Sequence, residues 1–503
     1  MNAIEADVHS SLRDFLRQHG NRNFPHHLTM ARLIARALRL GRPTLMQTGS
    51  SVSKYCLSYL TSVLLGDLSV IIVAPVATQQ YLLDIEIPQL LAWLGIEKKV
   101  RMGDRWQADD RILLTSPQSW LGDRLGNLGK FPPDIPTIIE RADNLEEWTR
   151  QLLTVSITAS DWDELLQSIP HHQELIRNAR VKLTKSIFAR PENPYRNYVL
   201  LDSELEIISF LGEFLSKQQL LTEKFEQFWQ QSFDKSNIFW ISRDRDRGLF
   251  TLNLAPVQVR TRLKSIWQQQ PVVIIGSFLD TEASANTYRQ QLGLDQKMLC
   301  LKFAPNQQNN HIQLYLPDRF PLPNTPDFRS AFIEQSLLLV SLSSSIEQMI
   351  VVIADDVPLQ GQVGSVLAAE FGSRVKVEDT RISHTSILIC GWSFWKLHQD
   401  TLPIPRLIII ATLPIPSLEN PLVASRVAYY KNQRQDWFRL YLLPSALKTL
   451  EQTTVPLRES QSIVALLDNR VNFRSYGNNI LSALEPCARI NYIDPTWFGY
   501  PDS

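Results

Sequence analysis

RLIIIATLPIPSLENPL (Arg406–Leu422) and LPSALKTLEQTTVPLRESQSIVALLDNRV (Leu443–Val471), preceded by GWSFWKLHQD (Gly391–Asp400), decide the fold. Leu407 to Ile410 is a run of apolar, mostly β-branched residues, far too short to span a bilayer, and reads as a buried strand. Pro414, Pro416 and Pro421 close it with a turn-rich loop, because proline brings no N–H to a ladder. Asp436 to Leu450 carries apolar residues at helical spacing, and Ser462 to Arg470 is a second buried strand closing on Asp468 and Arg470. Strand, loop, helix, strand is an α/β pattern.

The same stretch resembles the end of the second motor lobe of the DinG/XPD-like superfamily 2 DNA helicases. The resemblance rests on Ser393, Phe394 and Trp395, on Leu413, Pro414 and Pro421, on Pro444 and Ala446, and on Gln452, Asp468 and Arg470, in the family's order. It implies two RecA-like parallel-sheet lobes of the P-loop NTPase helicase kind, α/β in class, with a helical arch-like insertion. The departures are specific. Lys396 stands where the family has an acid, and the family's Gly-Arg-Leu-Ile-Arg has become TVPLR, which keeps Arg458. The arginine that reaches the γ-phosphate across the lobe interface has no counterpart.

Upstream, Thr44 to Thr48 reads as a strand entering GSSVSKY (Gly49–Tyr55), the place of the phosphate loop. Such loops aim backbone N–H groups at phosphates, with a lysine on the β/γ phosphates and a hydroxyl on magnesium. Thr48, Gly49, Ser50, Ser53 and Lys54 are the nucleotide-binding candidates here, joined from the second lobe by Gln452 and Arg458. Ser53 replaces a glycine and Tyr55 the metal-holding hydroxyl. Counted back from Leu57–Leu60, the lysine slot falls on Tyr55 instead of Lys54. His27 stands by spacing where the family's adenine-reading glutamine belongs.

PTIIERADNLEEW (Pro136–Trp148) matches the strand and DEAH segment, but DEAH has become Glu140, Arg141, Ala142, Asp143. Glu140 is the candidate magnesium ligand. Arg141 occupies the general-base position, and a guanidinium accepts no proton at working pH. Asp143 could stand in for it only with a shift in the local geometry. Gly276, Ser277 and Phe278 replace the Thr-Ser-Ala-Thr coupling motif and keep one hydroxyl.

The expected division is 1–159 and 237–290 for the first lobe, 160–236 for the insertion and 291–503 for the second lobe. Within the insertion, Leu205, Ile208, Phe210, Leu211, Phe214 and Leu215 form an apolar helical stripe, and the aromatics of EKFEQFWQQSF (Glu223–Phe233) read as helix–helix core. The helix after Ser69–Pro75 is expected to end on Pro88. Leu28 to Leu40 is an amphipathic helix with a flank of Arg32, Arg36 and Arg39.

Over 503 residues, 51 basic side chains balance 51 acidic ones, so no bulk charge draws the chain to nucleic acid. The four cysteines, Cys56, Cys300, Cys390 and Cys487, form no Cys-x-x-Cys pair, and none lies between Cys56 and Glu140. The iron–sulfur cluster many family members carry is therefore expected to be absent. Neither a leader nor a membrane segment is legible, which points to a cytoplasmic protein. His26–His27 has no third ligand at metal-site spacing. The resemblance implies ATP, magnesium and single-stranded DNA. With so many motif positions replaced, three functions stay open: a nucleic-acid- or partner-binding module with a degenerate motor, an active helicase, and a scaffold binding neither nucleotide nor DNA.

Overall fold

A computed structural model describes residues 4–19, 26–49, 52–303, 311–343, 348–399 and 401–498, without the side chains of residues 53, 54, 459, 495 and 498. In chain order, the first strands are β1 (Thr44–Gln47), β2 (Val70–Val73), β3 (Val100–Met102), β4 (Ile112–Thr115) and β5 (Thr137–Ile139). Next come β6 (Val155–Ile157), β7 (Asn197–Val199), β8 (Asn237–Asp244) and β9 (Leu249–Pro256), then β10 (Val272–Gly276) and β11 (Leu299–Lys302). The remainder are β12 (Ile312–Tyr315), β13 (Ile350–Ile353), β14 (Val375–Val377), β15 (Ile387–Cys390), β16 (Leu407–Ile410), β17 (Ile463–Leu466) and β18 (Cys487–Ile490).

These strands make two seven-stranded sheets, ordered β11-β1-β10-β5-β2-β4-β3 and β14-β15-β13-β16-β17-β12-β18. Every pairing within them is parallel. The central strands β2, β4, β13, β15, β16 and β17 are buried along their whole length. Helices cover both faces, so each sheet carries two apolar cores, and this is why its strands are continuous apolar runs without alternation. The two RecA-like lobes are thus present.

The insertion differs from expectation. It is not purely helical: helices Ala159–Ser168, Gln173–Ala189, Asp202–Lys217 and Glu223–Ser232 pack on an antiparallel sheet ordered β6-β9-β8-β7. The hairpin 237–256 pairs with β6 and β7 and so belongs to the insertion, whereas β11 pairs with β1 and carries the first lobe past residue 290. Phe225 and Phe228 join Trp162 in the insertion core, as expected of them. Of the stripe on Asp202–Lys217, only Leu211 and Leu215 are buried, and Phe210 is 62% exposed.

Pro88 does not end its helix. A π turn, Leu82–Glu86, links Val76–Tyr81 to Ile87–Leu94, and the N–H of Ile87 bonds to the Leu82 carbonyl five residues back. Shifting the ladder by one residue accommodates the missing N–H of the proline. The same device, Phe438–Leu442, precedes Pro444 at the start of helix Leu443–Glu459. That helix continues through Pro456.

Candidate functional site between the lobes

The carboxyl ends of β1, β5 and β10 converge where a nucleotide site is expected. Glu140 follows β5 and is fully buried. One of its oxygens accepts a 2.6 Å hydrogen bond from the hydroxyl of Tyr59, on helix Cys56–Leu65, and the other has no partner among the described residues. Burial pushes the Glu140 carboxyl above its usual range, against the opposing pull of Tyr59 and the nearby Arg141. A carboxyl placed this way is a core group sealed by a tyrosine. His27 is buried too, its Nδ1 2.8 Å from Ser58 Oγ and its ring 4.9 Å from that of Tyr55. It joins two helices instead of facing a base.

At the end of β1, the N–H groups of Thr48 and Gly49 donate to the carbonyls of Gly276 (2.9 Å) and Ser277 (3.1 Å). Gly49 has φ +63°, a backbone state that suits glycine. Gln47 closes the same corner, accepting from the N–H groups of Leu279 and Asp280 and donating to the Glu282 carbonyl. Ser50 lies outside the described residues, as do the side chains of Ser53 and Lys54. The backbone resumes as a tight turn, Val52–Tyr55, whose Val52 and Tyr55 side chains are buried in the first-lobe core.

Asp143 is spent on structure. Its carboxylate accepts from the Ser277 N–H (2.9 Å), the Ser277 hydroxyl (2.8 Å) and the Phe278 N–H (2.9 Å). It ties the DEAH-equivalent segment to the coupling segment, with three of its roughly four acceptor positions taken. Arg141, at the base position, is held in the left-handed region at φ +54°. At this corner Tyr55 lies in the core, Glu140 accepts from Tyr59, and Asp143 holds Ser277 and Phe278. Among the described residues, no group of three or more His, Cys, Asp or Glu is arranged to hold a metal ion. The four cysteines sit on four separate elements: helix Cys56–Leu65, β11, β15 and β18.

Between the lobes lies a cleft of about 660 Å³. Asp143, Glu146, Glu147 and Phe278 line its first-lobe wall, and Lys396, Arg426, Lys448 and Gln452 its second-lobe wall. Contacts cross it. Arg426 donates to Glu146 at 2.9 Å and stacks over the Tyr441 ring at 3.9 Å, while Lys448 donates to the Asp143 main-chain carbonyl. Burial alone would raise the Glu146 carboxyl, but Arg426 and Arg150 outweigh it and hold it below its usual range. Lys448 is pushed down by burial, partly offset by Asp143 and Glu146.

Of the sequence candidates from the second lobe, Gln452 reaches this cleft and Arg458 does not. Arg458 is 2% exposed, bidentate to Glu451 (2.9 Å to each oxygen) and bonded to the Ala483 carbonyl. It braces the second-lobe core. Sequence reading missed Tyr59, Arg426 and Lys448. A signal existed for Lys448, which stands four residues before Gln452 on one helix face.

A family described as helicase C-terminal domain matches residues 403–487. The ATP-dependent DNA helicase YoaA of Escherichia coli (strain K12) is 22% identical over 335 residues, 61% of this chain and 51% of that protein. YoaA of Haemophilus influenzae is 22% identical over 388 residues, 73% of this chain and 55% of that protein. The chain spans about half the length of these curated relatives. Among solved structures, an XPD helicase superposes with TM-score 0.60 at 11% identity, covering 92% of this chain and 99% of that one. The S. tokodaii Xpd4 structure gives 0.58 at 13%, covering 92% and 99%. At such identities the structures speak for fold alone. The two parallel-sheet lobes, the matched C-terminal domain and the helicase relatives agree: the chain is similar to the DinG/XPD-like superfamily 2 helicases, in fold over most of its length and by family model over residues 403–487.

Proposed function

We propose that this chain is a helicase-fold module that binds nucleic acid, single-stranded DNA foremost, or a protein partner in the cytoplasm, and that its motor turns over little ATP. Members of the family use ATP with magnesium. The observation that carries the reading is the Glu140–Tyr59 hydrogen bond inside a fully buried pocket. It takes from the site the carboxylate that should face magnesium. The engagement of Asp143 with Ser277 and Phe278 and the arginine at the base position support it further. Loss of a general base alone costs about 10²- to 10⁴-fold in rate.

The test is turnover of radiolabelled ATP with and without single-stranded DNA, beside fluorescence anisotropy of a labelled oligonucleotide across a salt series. The expected result is salt-dependent oligonucleotide binding, no DNA-stimulated turnover, and no effect of Lys54→Ala on either. DNA-stimulated turnover abolished by Lys54→Ala restores the active-helicase reading. An oligonucleotide left unbound at low salt moves the function to a protein partner.

A further inference from the structure

Helicase lobes of this family close on a nucleotide, whose phosphates bridge them. Here the chain supplies the bridge. Phe278, on the first-lobe loop after β10, is 8% exposed and belongs to the apolar core cluster of the second lobe, with Leu443 and Leu447. Around this plug, the acidic wall (Glu146, Glu147) faces the basic wall (Lys396, Arg426, Lys448). Three polar contacts join them: Arg426 to Glu146, Lys448 to the Asp143 carbonyl, and Gln291 to the Leu440 carbonyl at 2.9 Å. Asp143 also grips Ser277 and Phe278 by their main chain, so the plug is held at the angle at which it enters the other lobe. Lys302 lies 5.4 Å over the Phe278 ring and donates to the Asp280 and Thr281 carbonyls, bracing the loop from behind.

We infer that the two lobes are clamped shut by these side chains, so that the closed state of the helicase fold is permanent and independent of nucleotide. Phe278 and Arg426 are positioning residues for that state. The acidic first-lobe wall meets the basic second-lobe wall directly through Glu146 and Arg426. The clamp goes beyond the proposed loss of turnover and does not require it.

Small-angle scattering of the full chain, with and without magnesium and a non-hydrolysable ATP analogue, reads closure. Hydrogen exchange over Leu145–Leu153 reads the interface on the same samples. The wild type is expected to give one compact curve that the analogue leaves unchanged. Phe278→Ala with Arg426→Ala is expected to enlarge the radius of gyration and speed exchange at Leu145–Leu153 at least tenfold. Arg426→Ala alone, which removes no core residue, is expected to give a smaller shift in the same direction, increasing when Phe278→Ala is added. Contraction of the wild type on adding the analogue overturns the clamp, as does a double variant that keeps its fold by circular dichroism and stays as compact as wild type. DNA-stimulated ATP turnover by a wild type that stays compact throughout would end the proposed function and leave the clamp standing.

Discussion

Replacing Glu140 by glutamine separates a buried structural carboxyl from a magnesium ligand more sharply than any other single change. The side chain is fully buried, with Tyr59 on one oxygen and no described residue on the other, and burial raises its proton affinity above that of an unfolded glutamate. Between the unfolded and folded values the native state therefore binds more protons than the unfolded one. Stability is fully present below the ordinary glutamate value and is lost as pH rises through the raised one, at about 1.4 kcal/mol per pH unit. Glu140→Gln keeps an acceptor for the Tyr59 hydroxyl and removes the charge, so it flattens this slope and leaves the variant more stable than wild type at pH 8. Tyr59→Phe strips the carboxyl of its donor, at a cost of about 1–3 kcal/mol. For a unit of 150–250 residues, each kcal/mol moves the melting temperature by about 2–4 °C. Scanning calorimetry of the three proteins from pH 5 to pH 8 measures all of this. Should wild-type stability instead climb with pH across that window, or Glu140→Gln melt earlier than wild type at pH 8, Glu140 is ionised in the folded chain and the reasoning about the site fails.

Two other groups give independent tests. Arg458→Met strands the Glu451 carboxylate in the second-lobe core and is expected to cost about 3–5 kcal/mol in urea unfolding. Pairing it with Glu451→Leu should recover most of that loss, whereas a phosphate-binding arginine would lose nucleotide affinity and little stability. Burial pushes His27 down to about 4. The unfolded chain therefore takes up a proton that the folded one refuses, stability rises with pH from about 4 to the ordinary histidine range, and His27→Asn should flatten that limb of the melting curve.

Much of the scaffold was legible because parallel strands buried on both faces must be apolar throughout. Leu407–Ile410, Val70–Val73 and Ile350–Ile353 have no other reading in an α/β chain. The boundaries were less so. Strand β8 begins in a polar segment and ends in the charged turn near Arg245, so its allegiance to the insertion sheet depends on long-range pairing that local pattern does not encode. Pro88 looks like a stop because proline breaks an α ladder, and only the π turn before it shows how the helix passes. At the site, the sequence showed which motif residues had been replaced. What became of the survivors depended on contacts across large separations: Tyr59 with Glu140, Arg426 with Glu146, and Phe278 within the other lobe's core. Arg458 illustrates the difference, a retained motif letter whose guanidinium has been recruited by Glu451, seven residues away.

The insertion leaves the first lobe along β6 and returns along β9, and those two strands are hydrogen-bonded to each other from Val155 against Leu254 to Ile157 against Leu252. Its entrance and exit therefore form one paired neck, and the seven-stranded sheet on the near side closes without any strand from the far side. A segment attached in this way is an exchangeable head. A change in its length or content leaves the order of strands in the trunk the same, and is felt where the second-lobe helix Pro421–Asn432 rests on β7 and β8.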